Sequence, residues 1–208
     1  KNPLEALQKL TASHRKRFAI PVLGITGSNG KTTSKELIYA VLSSHYTTYT
    51  TQGNLNNHIG VPLTLLSVRS DAEMAVIEMG ANHQQEIAGY CQYTMPTHGI
   101  ITNCGKAHLE GFGGEMGVIK GKGELFDYLK LHGGTAFIMN DYAYLKEMSN
   151  GLTNIKTYGT HNAELTGIPI KSTQFLAVEI THGTTTLKSI ATNLVGEYNL
   201  PNVLVAIA

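Results

Sequence analysis

Charge and cysteine are both scarce in this chain, and each scarcity closes off a class of function. Only 15% of the 208 residues are charged and the net charge is +1, against ~25% charged in an average soluble domain. No broad basic surface is available for nucleic acid or an anionic membrane, so a bound anion has to be held by a local site. The two cysteines, Cys91 and Cys104, supply neither a disulfide framework nor a metal-ligand spacing, which points to a reducing cytoplasm. No apolar run reaches the ~20 residues needed to span a bilayer. The chain does not start with the basic-then-apolar pattern of a secretory signal. Tandem repeats and low-complexity linkers are also missing.

What is present is an ordinary hydrophobic share, 42%, enough for one large core or two small ones. Pro3 to Phe18 reads as an amphipathic helix carrying Leu4, Leu7 and Leu10 at near-helical spacing. Ala19 to Thr26 (AIPVLGIT) reads as a buried strand, and Lys31 to Ser44 as a helix with Leu37, Ile38, Val41 and Leu42 on one face. Further strands are expected at Met74–Met79, Gly99–Asn103 and Thr135–Asn140, and helices at His83–Tyr93, Met116–Leu131 and Tyr142–Met148. Strands alternating with helices predict an α/β fold, a mostly parallel sheet covered on both faces. Phe175–Thr181 and Thr184–Ile190 alternate around His182 and Gly183, which predicts a small antiparallel hairpin towards the C-terminus. The chain starts on a helical pattern and stops inside the apolar run Val203 to Ala208, as expected of one domain of a longer polypeptide.

The strand ending at Thr26 leads into Gly27, Ser28, Asn29, Gly30, Lys31, Thr32 and Thr33, and a helix follows. Strand, glycine-rich turn and helix is the setting of a phosphate loop: glycines let consecutive N–H groups face one anion, and the helix adds its positive end. Lys31 then serves the β- and γ-phosphates of a nucleoside triphosphate, and Thr32 offers a hydroxyl to Mg²⁺. The usual first glycine of the pattern is replaced by Ile25, and the glycines stand at 24, 27 and 30. A dinucleotide loop would want an acid after the next strand, and Thr47 to Gln52 contains none.

Three other segments follow expected strands, where ligands of open α/β sheets bind. Glu78 to His83 (EMGANH) places a carboxylate where it would hold a phosphate-bridging Mg²⁺. Thr102 to Gly114 (TNCGKAHLEGFGG) is a glycine-rich loop with Asn103, His108 and Glu110; Cys104 within it has no base beside it and reads as a filler. Gly121 to Glu124 (GKGE) lies in a helical run, where composition alone would leave Lys122 in solvent.

These segments together resemble the Mur ligases, ATP-dependent enzymes of bacterial cell-wall precursor synthesis. The resemblance is carried by GITGSNGKTT with its shifted glycines, GNLNNHIGVPLTLL (Gly53 to Leu66), EMGANHQQEI (Glu78 to Ile87), ITNCGKAHLEGFGG (Ile101 to Gly114) and KGKGELF (Lys120 to Phe126). It runs from about residue 20 to the end and is strongest with the branch that adds D-alanyl-D-alanine to UDP-N-acetylmuramoyl-tripeptide. It implies a central ATPase domain over residues 19–208, residues 1–18 being a linker helix from an amino-terminal sugar-nucleotide domain, with an amine-binding domain after it.

The resemblance also implies roles. Lys31 and Thr32 match the phosphate lysine and the Mg²⁺ hydroxyl, and Glu78 the acid on that Mg²⁺. His108 matches a ligand or near-ligand of a second Mg²⁺, an ion oriented by Lys122 carried as a carbamate. Asn199 and Asn202 match a nucleotide-edge pair, although GEYNLPN puts Tyr198 where the family has histidine. Asn54, Asn56 and Asn57 are candidates for contact with the sugar peptide. The expected cofactors are ATP and two Mg²⁺ ions, and the expected state is a cytoplasmic monomer without nucleic acid or a membrane span. Another Mur-type or a folylpolyglutamate-type ligase remains an alternative. So does a non-catalytic nucleotide-binding domain, which would have little use for Glu78 together with His108.

Overall fold

The computed structural model describes residues 2–105, 109–170 and 174–208. The chain runs α1 (Pro3–Arg15), β1 (Val22–Thr26), α2 (Lys31–Leu42), β2 (Thr48–Thr50), α3 (Gly60–Leu66), β3 (Met74–Glu78), α4 (Glu86–Thr94), β4 (His98–Ile101), α5 (Leu109–Phe112) and α6 (Glu115–His132). It continues through β5 (Thr135–Met139), α7 (Ala143–Met148), β6 (Asn154–Gly159), β7 (Leu165–Ile170), β8 (Ala177–His182), β9 (Thr185–Ala191), a 3₁₀ turn at Glu197–Asn199 and α8 (Leu200–Ile207).

Among the described residues the strands form one sheet in the order β2-β3-β1-β4-β5-β6-β7-β8-β9. From β2 to β7 all pairings are parallel; β8 and β9 join antiparallel. All five residues of β1 are buried, as a strand covered on both faces requires. Helices α2 and α8 pack together on one face, and α3, α4 and α6 lie on the other, with α1 outside them against α3 and α4. The expected hairpin forms, with Gly183 at φ 59° in its turn. It extends the main sheet as its last two strands.

Three expectations change. Six elements had no predicted counterpart: β2, α3, α5, β6, β7 and α8, the last in a stretch read only as an apolar run. Helix α4 starts at Glu86, not His83, because Gln85 sits at φ 70° and Glu86 accepts the N–H groups of Asn82 (2.6 Å) and His83 (3.0 Å) ahead of the helix. And α1 buries Thr11 and Arg15, not Leu10, which is 58% exposed.

Arg15 explains the last point. Its guanidinium donates to the carbonyls of Thr94 (2.9 Å), Met95 (3.0 Å) and Phe18 (2.7 Å), and lies 5.1 Å from the Phe18 ring centre. Two of those carbonyls are at the end of α4, where Met95 turns the chain at φ 45°. Arg15→Ala is expected to destabilise the fold by about 2–4 kcal/mol, since buried carbonyls lose charged donors. Urea unfolding checks this; a loss under about 0.5 kcal/mol would reject the clamp.

Candidate functional site

Strand β1 lies between β3 and β4, so the sheet reverses its winding order there and opens a crevice at the carboxyl ends of the strands. The chain leaves β1 through Gly27 (φ 141°) and Gly30 (φ 80°) and enters α2 at Lys31. The loop is braced from the segment after β4. Ser28 N–H donates to Asn103 O at 2.9 Å and Asn29 N–H to Asn103 Oδ1 at 3.1 Å. Thr102 Oγ1 donates to Asn29 O at 2.6 Å. Thr102 was not singled out in sequence; only the register of β1 against β4 brings it under the loop. A Cβ on Gly27 would meet Thr102 Oγ1 at 2.0 Å. Gly27→Ala is therefore expected to weaken ATP binding at least about 30-fold and to lower stability by about 2–4 kcal/mol. Titration calorimetry and thermal melting test both halves of that statement.

Lys31 Nζ donates to Gly27 O (2.8 Å) and Ser28 O (3.1 Å), and burial lowers its pKa. Next to it, Thr32 Oγ1 donates to Glu78 Oε1 at 3.2 Å and Asn56 Nδ2 to the same oxygen at 2.8 Å. Glu78 is 1% exposed at the end of β3, and its Oε2 is buried with no hydrogen-bond partner among the described residues. A buried carboxylate oxygen without a partner, beside a hydroxyl and a phosphate-type loop, is a donor set that fits Mg²⁺. His108, expected near a second ion, lies outside the described residues. Among the described residues no three His, Cys, Asp or Glu side chains gather into a metal cluster.

Lys122 projects from α6 and is 2% exposed. Its Nζ donates to Ala81 O at 3.0 Å and lies 4.9 Å from the Phe112 ring centre. Burial first, and the nearby Lys31 charge second, push its pKa down to about 8. The sequence expectation for a helical lysine, a solvated head, is reversed.

Two cavities flank the loop. One of about 300 Å³ is lined by Asn29, Gly30, Thr33, Tyr142, Tyr198, Asn199 and Asn202. Asn202 reaches across from α8: its Oδ1 accepts from Ser34 Oγ and its Nδ2 donates to Asn199 Oδ1, each at 3.0 Å. The other cavity, about 340 Å³, is bounded by Gly27, Lys31, Asn56, Asn57, Glu86 and Lys122. Asn57 Oδ1 also accepts from Ile59 and Gly60 N–H at the start of α3. Asn54 is exposed and borders neither cavity.

Residues 25–208 match the family described as Mur ligase middle domain. UDP-N-acetylmuramoyl-tripeptide–D-alanyl-D-alanine ligase of Bacillus subtilis is 39% identical over 159 residues, 76% of this chain and 35% of that protein. The Escherichia coli ligase of the same name is 48% identical over 128 residues, 62% of this chain and 28% of that protein. Among solved structures, MurF from Acinetobacter baumannii superposes with a TM-score of 0.90 at 32% identity, covering 99% of this chain and 46% of that one. The MurF ligase of Thermotoga maritima in complex with ADP gives 0.90 at 25% identity, covering 100% and 48%. The chain thus spans less than half the length of these proteins.

Proposed function

Because the chain belongs to the Mur ligase middle-domain family, we propose that it is the ATP-binding part of a ligase joining D-alanyl-D-alanine to UDP-N-acetylmuramoyl-tripeptide. The observation that carries the reading is the meeting of Lys31, Thr32 and the unpartnered Glu78 oxygen at one corner of the crevice. In this reading residues 19–208 are the central domain, residues 1–18 the linker helix, and the sugar-nucleotide and dipeptide surfaces belong to flanking domains. The setting is the cytoplasm, with the protein acting as a monomer; among the described residues no helix is long and apolar enough to cross a membrane.

Amide formation from a carboxylate and an amine is uphill in water, so the carboxylate has to be activated. One oxygen of the tripeptide's terminal carboxylate attacks the γ-phosphorus, the bond to the β,γ-bridging oxygen breaks, and ADP leaves from an acyl phosphate. The amine of D-alanyl-D-alanine then attacks the acyl carbon, phosphate departs and the amine loses a proton. The loop N–H groups and Lys31 hold the triphosphate and lower the repulsion between the two anions. Thr32 and Glu78 would hold Mg²⁺, which supplies charge neutralisation between the β- and γ-phosphates. Thr33, Asn199 and Asn202 border the cavity suited to the nucleoside, and a relative crystallised in complex with ADP supports nucleotide binding by the family. Asn56 and Asn57 border the cavity on the Lys31 side, where the acyl substrate would enter.

Lys122 fits carriage of a carbamate. Its neutral amine attacks CO₂, an N–C bond forms and a proton goes to solvent, turning a cation into an anion that would orient a second Mg²⁺ with His108. With a pKa near 8, about a tenth of the amine is neutral at pH 7, against roughly one part in three thousand for an ordinary lysine.

The test is pentapeptide formation followed by mass spectrometry. The ligase with its flanking domains is expected to turn over ATP to ADP continuously only when both substrates are present. Residues 1–208 alone are expected to bind ATP weakly and to form no product. Appreciable turnover by that fragment would overturn the division of labour proposed here.

A further inference from the structure

The 340 Å³ cavity on the Lys31 side has a buried polar group that the mechanism does not use. Besides Gly27 and Lys31, its walls carry Asn57, His58, Asn82, Glu86, Tyr90 and Lys122. Three of these side chains are engaged within the protein: Asn57 accepts from Ile59 and Gly60 N–H, Glu86 accepts from the N–H groups of Asn82 and His83, and Lys122 donates to Ala81 O, while His58 and Asn82 are exposed. Tyr90 is different. It is only 4% exposed, and no hydrogen-bond partner for its hydroxyl exists among the described residues.

A phenol buried to that extent normally finds a partner. Tyr93, on the same helix, provides a contrast: its hydroxyl is fully sealed in packing and also unpartnered. The Tyr90 hydroxyl is not sealed, and the open space that the residue borders is the cavity. Helix geometry agrees, since a side chain on α4 leans towards the helix amino-terminus. For Tyr90 that is the turn containing Glu86, another wall of the same cavity.

We propose that Tyr90 contacts the acyl substrate, donating its phenolic hydrogen to a carbonyl or carboxylate oxygen of the peptide portion and so setting which peptides the cavity accepts. The assignment rests on the ligase reading above. Chemistry selects the peptide over the nucleotide. The nucleoside end of ATP is served by the cavity on the other side of the loop, bordered by Asn199 and Asn202. Lys31 borders the second cavity, so what fills it is the group that meets the far end of the triphosphate. A peptide presents there carbonyl and carboxylate oxygens, either of which can accept from an idle phenolic donor. Burial, with the Glu86 charge adding to it, pushes the Tyr90 pKa up to about 12, so the phenol keeps its hydrogen through the working pH range.

The experiment is Tyr90→Phe in the ligase with its flanking domains, which removes one oxygen and keeps the ring's packing. The KM for UDP-N-acetylmuramoyl-tripeptide is expected to rise about tenfold, with kcat and the KM for ATP within about twofold of the parent. The melting temperature is expected to stay level or rise, because a buried idle hydroxyl has been removed. An unchanged peptide KM overturns the assignment and leaves the ligase reading standing. A parallel rise in the KM for ATP also overturns it, since the residue would then act through packing. A parent enzyme that binds ATP and ligates no tripeptide overturns both readings together.

Discussion

Glu78→Gln is expected to lower ligation by at least about 10³-fold at saturating substrates while leaving the fold as stable as the parent or slightly more so. The asymmetry follows from how the carboxylate is held. Oε1 accepts from Asn56 Nδ2 and Thr32 Oγ1, and an amide oxygen in the same place would accept both. Oε2 is buried without a partner among the described residues, an arrangement that costs stability unless something occupies it. The charge itself is therefore spared by the fold and needed by the site. Glu78→Ala goes further: it removes the acceptor as well, leaves Asn56 and Thr32 idle, and takes away the carboxylate that supports the Lys31 charge. It is expected to match Glu78→Gln in lost activity and to lose about 1–3 kcal/mol of stability in addition. Steady-state ADP release over a Mg²⁺ titration, with urea unfolding of both variants, separates the two effects. A Glu78→Gln enzyme retaining more than about a tenth of parental kcat would rule out the metal role.

The parts of this site that were legible in sequence are those whose chemistry is local. Gly27 to Thr32 sit in consecutive positions between a strand and a helix, and the loop geometry follows from that order alone. Glu78 was legible because it ends a strand whose apolar run, Met74 to Ile77, is plain. The misfit at Ile25 is also accounted for: the residue is fully buried within β1, and a Cβ on neighbouring Gly24 would meet Met79 at 2.6 Å. Position 25 thus belongs to the strand core below the loop, where Ile25 fills a fully buried place.

What was not legible depends on partners far away in the chain. Thr102 braces Asn29 across 73 residues, and Asn202 reaches Ser34 across 168. No pattern within a window of sequence carries either contact. Burial of charge was hidden for a related reason. Lys35 is fully buried with its Nζ 2.7 Å from Thr51 O, and Arg15 is buried on three carbonyls. Hydropathy assigns such residues to solvent, because carbonyls that only the fold collects are among their acceptors; Lys35 also pairs with Glu36 at 2.8 Å. Strands β6 and β7 were missed because their burial is incomplete, with alternating exposed or half-buried positions that dilute the apolar signal.

Lys122→Met is expected to lower ligation sharply and stabilise the protein in the same stroke. The lysine is 2% exposed, and its Nζ has one carbonyl and an aromatic face for company. Its pKa is lowered from the ordinary 10.5 to about 8. The sign of the linkage follows directly. Between pH 8 and 10.5 the unfolded chain holds a proton that the folded chain has released, so the contribution of this group to stability rises with pH across that window. Below pH 8 both states are charged and the folded state bears the whole burial penalty, on the order of 3 kcal/mol. Methionine fills a similar volume without that penalty, although Ala81 O loses its donor, so a net gain of about 1–2 kcal/mol is expected at pH 7 in CO₂-depleted buffer. The gain should shrink as the pH approaches 10, where the parental amine is neutral in the folded protein. Ligation should fall at least about 10²-fold, and depletion of CO₂ should slow the parent while leaving the variant's residual rate unchanged. Urea unfolding at pH 7 and at pH 10, beside ADP release with and without added bicarbonate, tests both halves. A variant less stable than the parent at pH 7 would make Lys122 a structural residue, and one that still ligates well would remove it from the site. A lysine that the fold holds at a loss, beside the loop of Gly27 to Lys31, is on this proposal there for its chemistry.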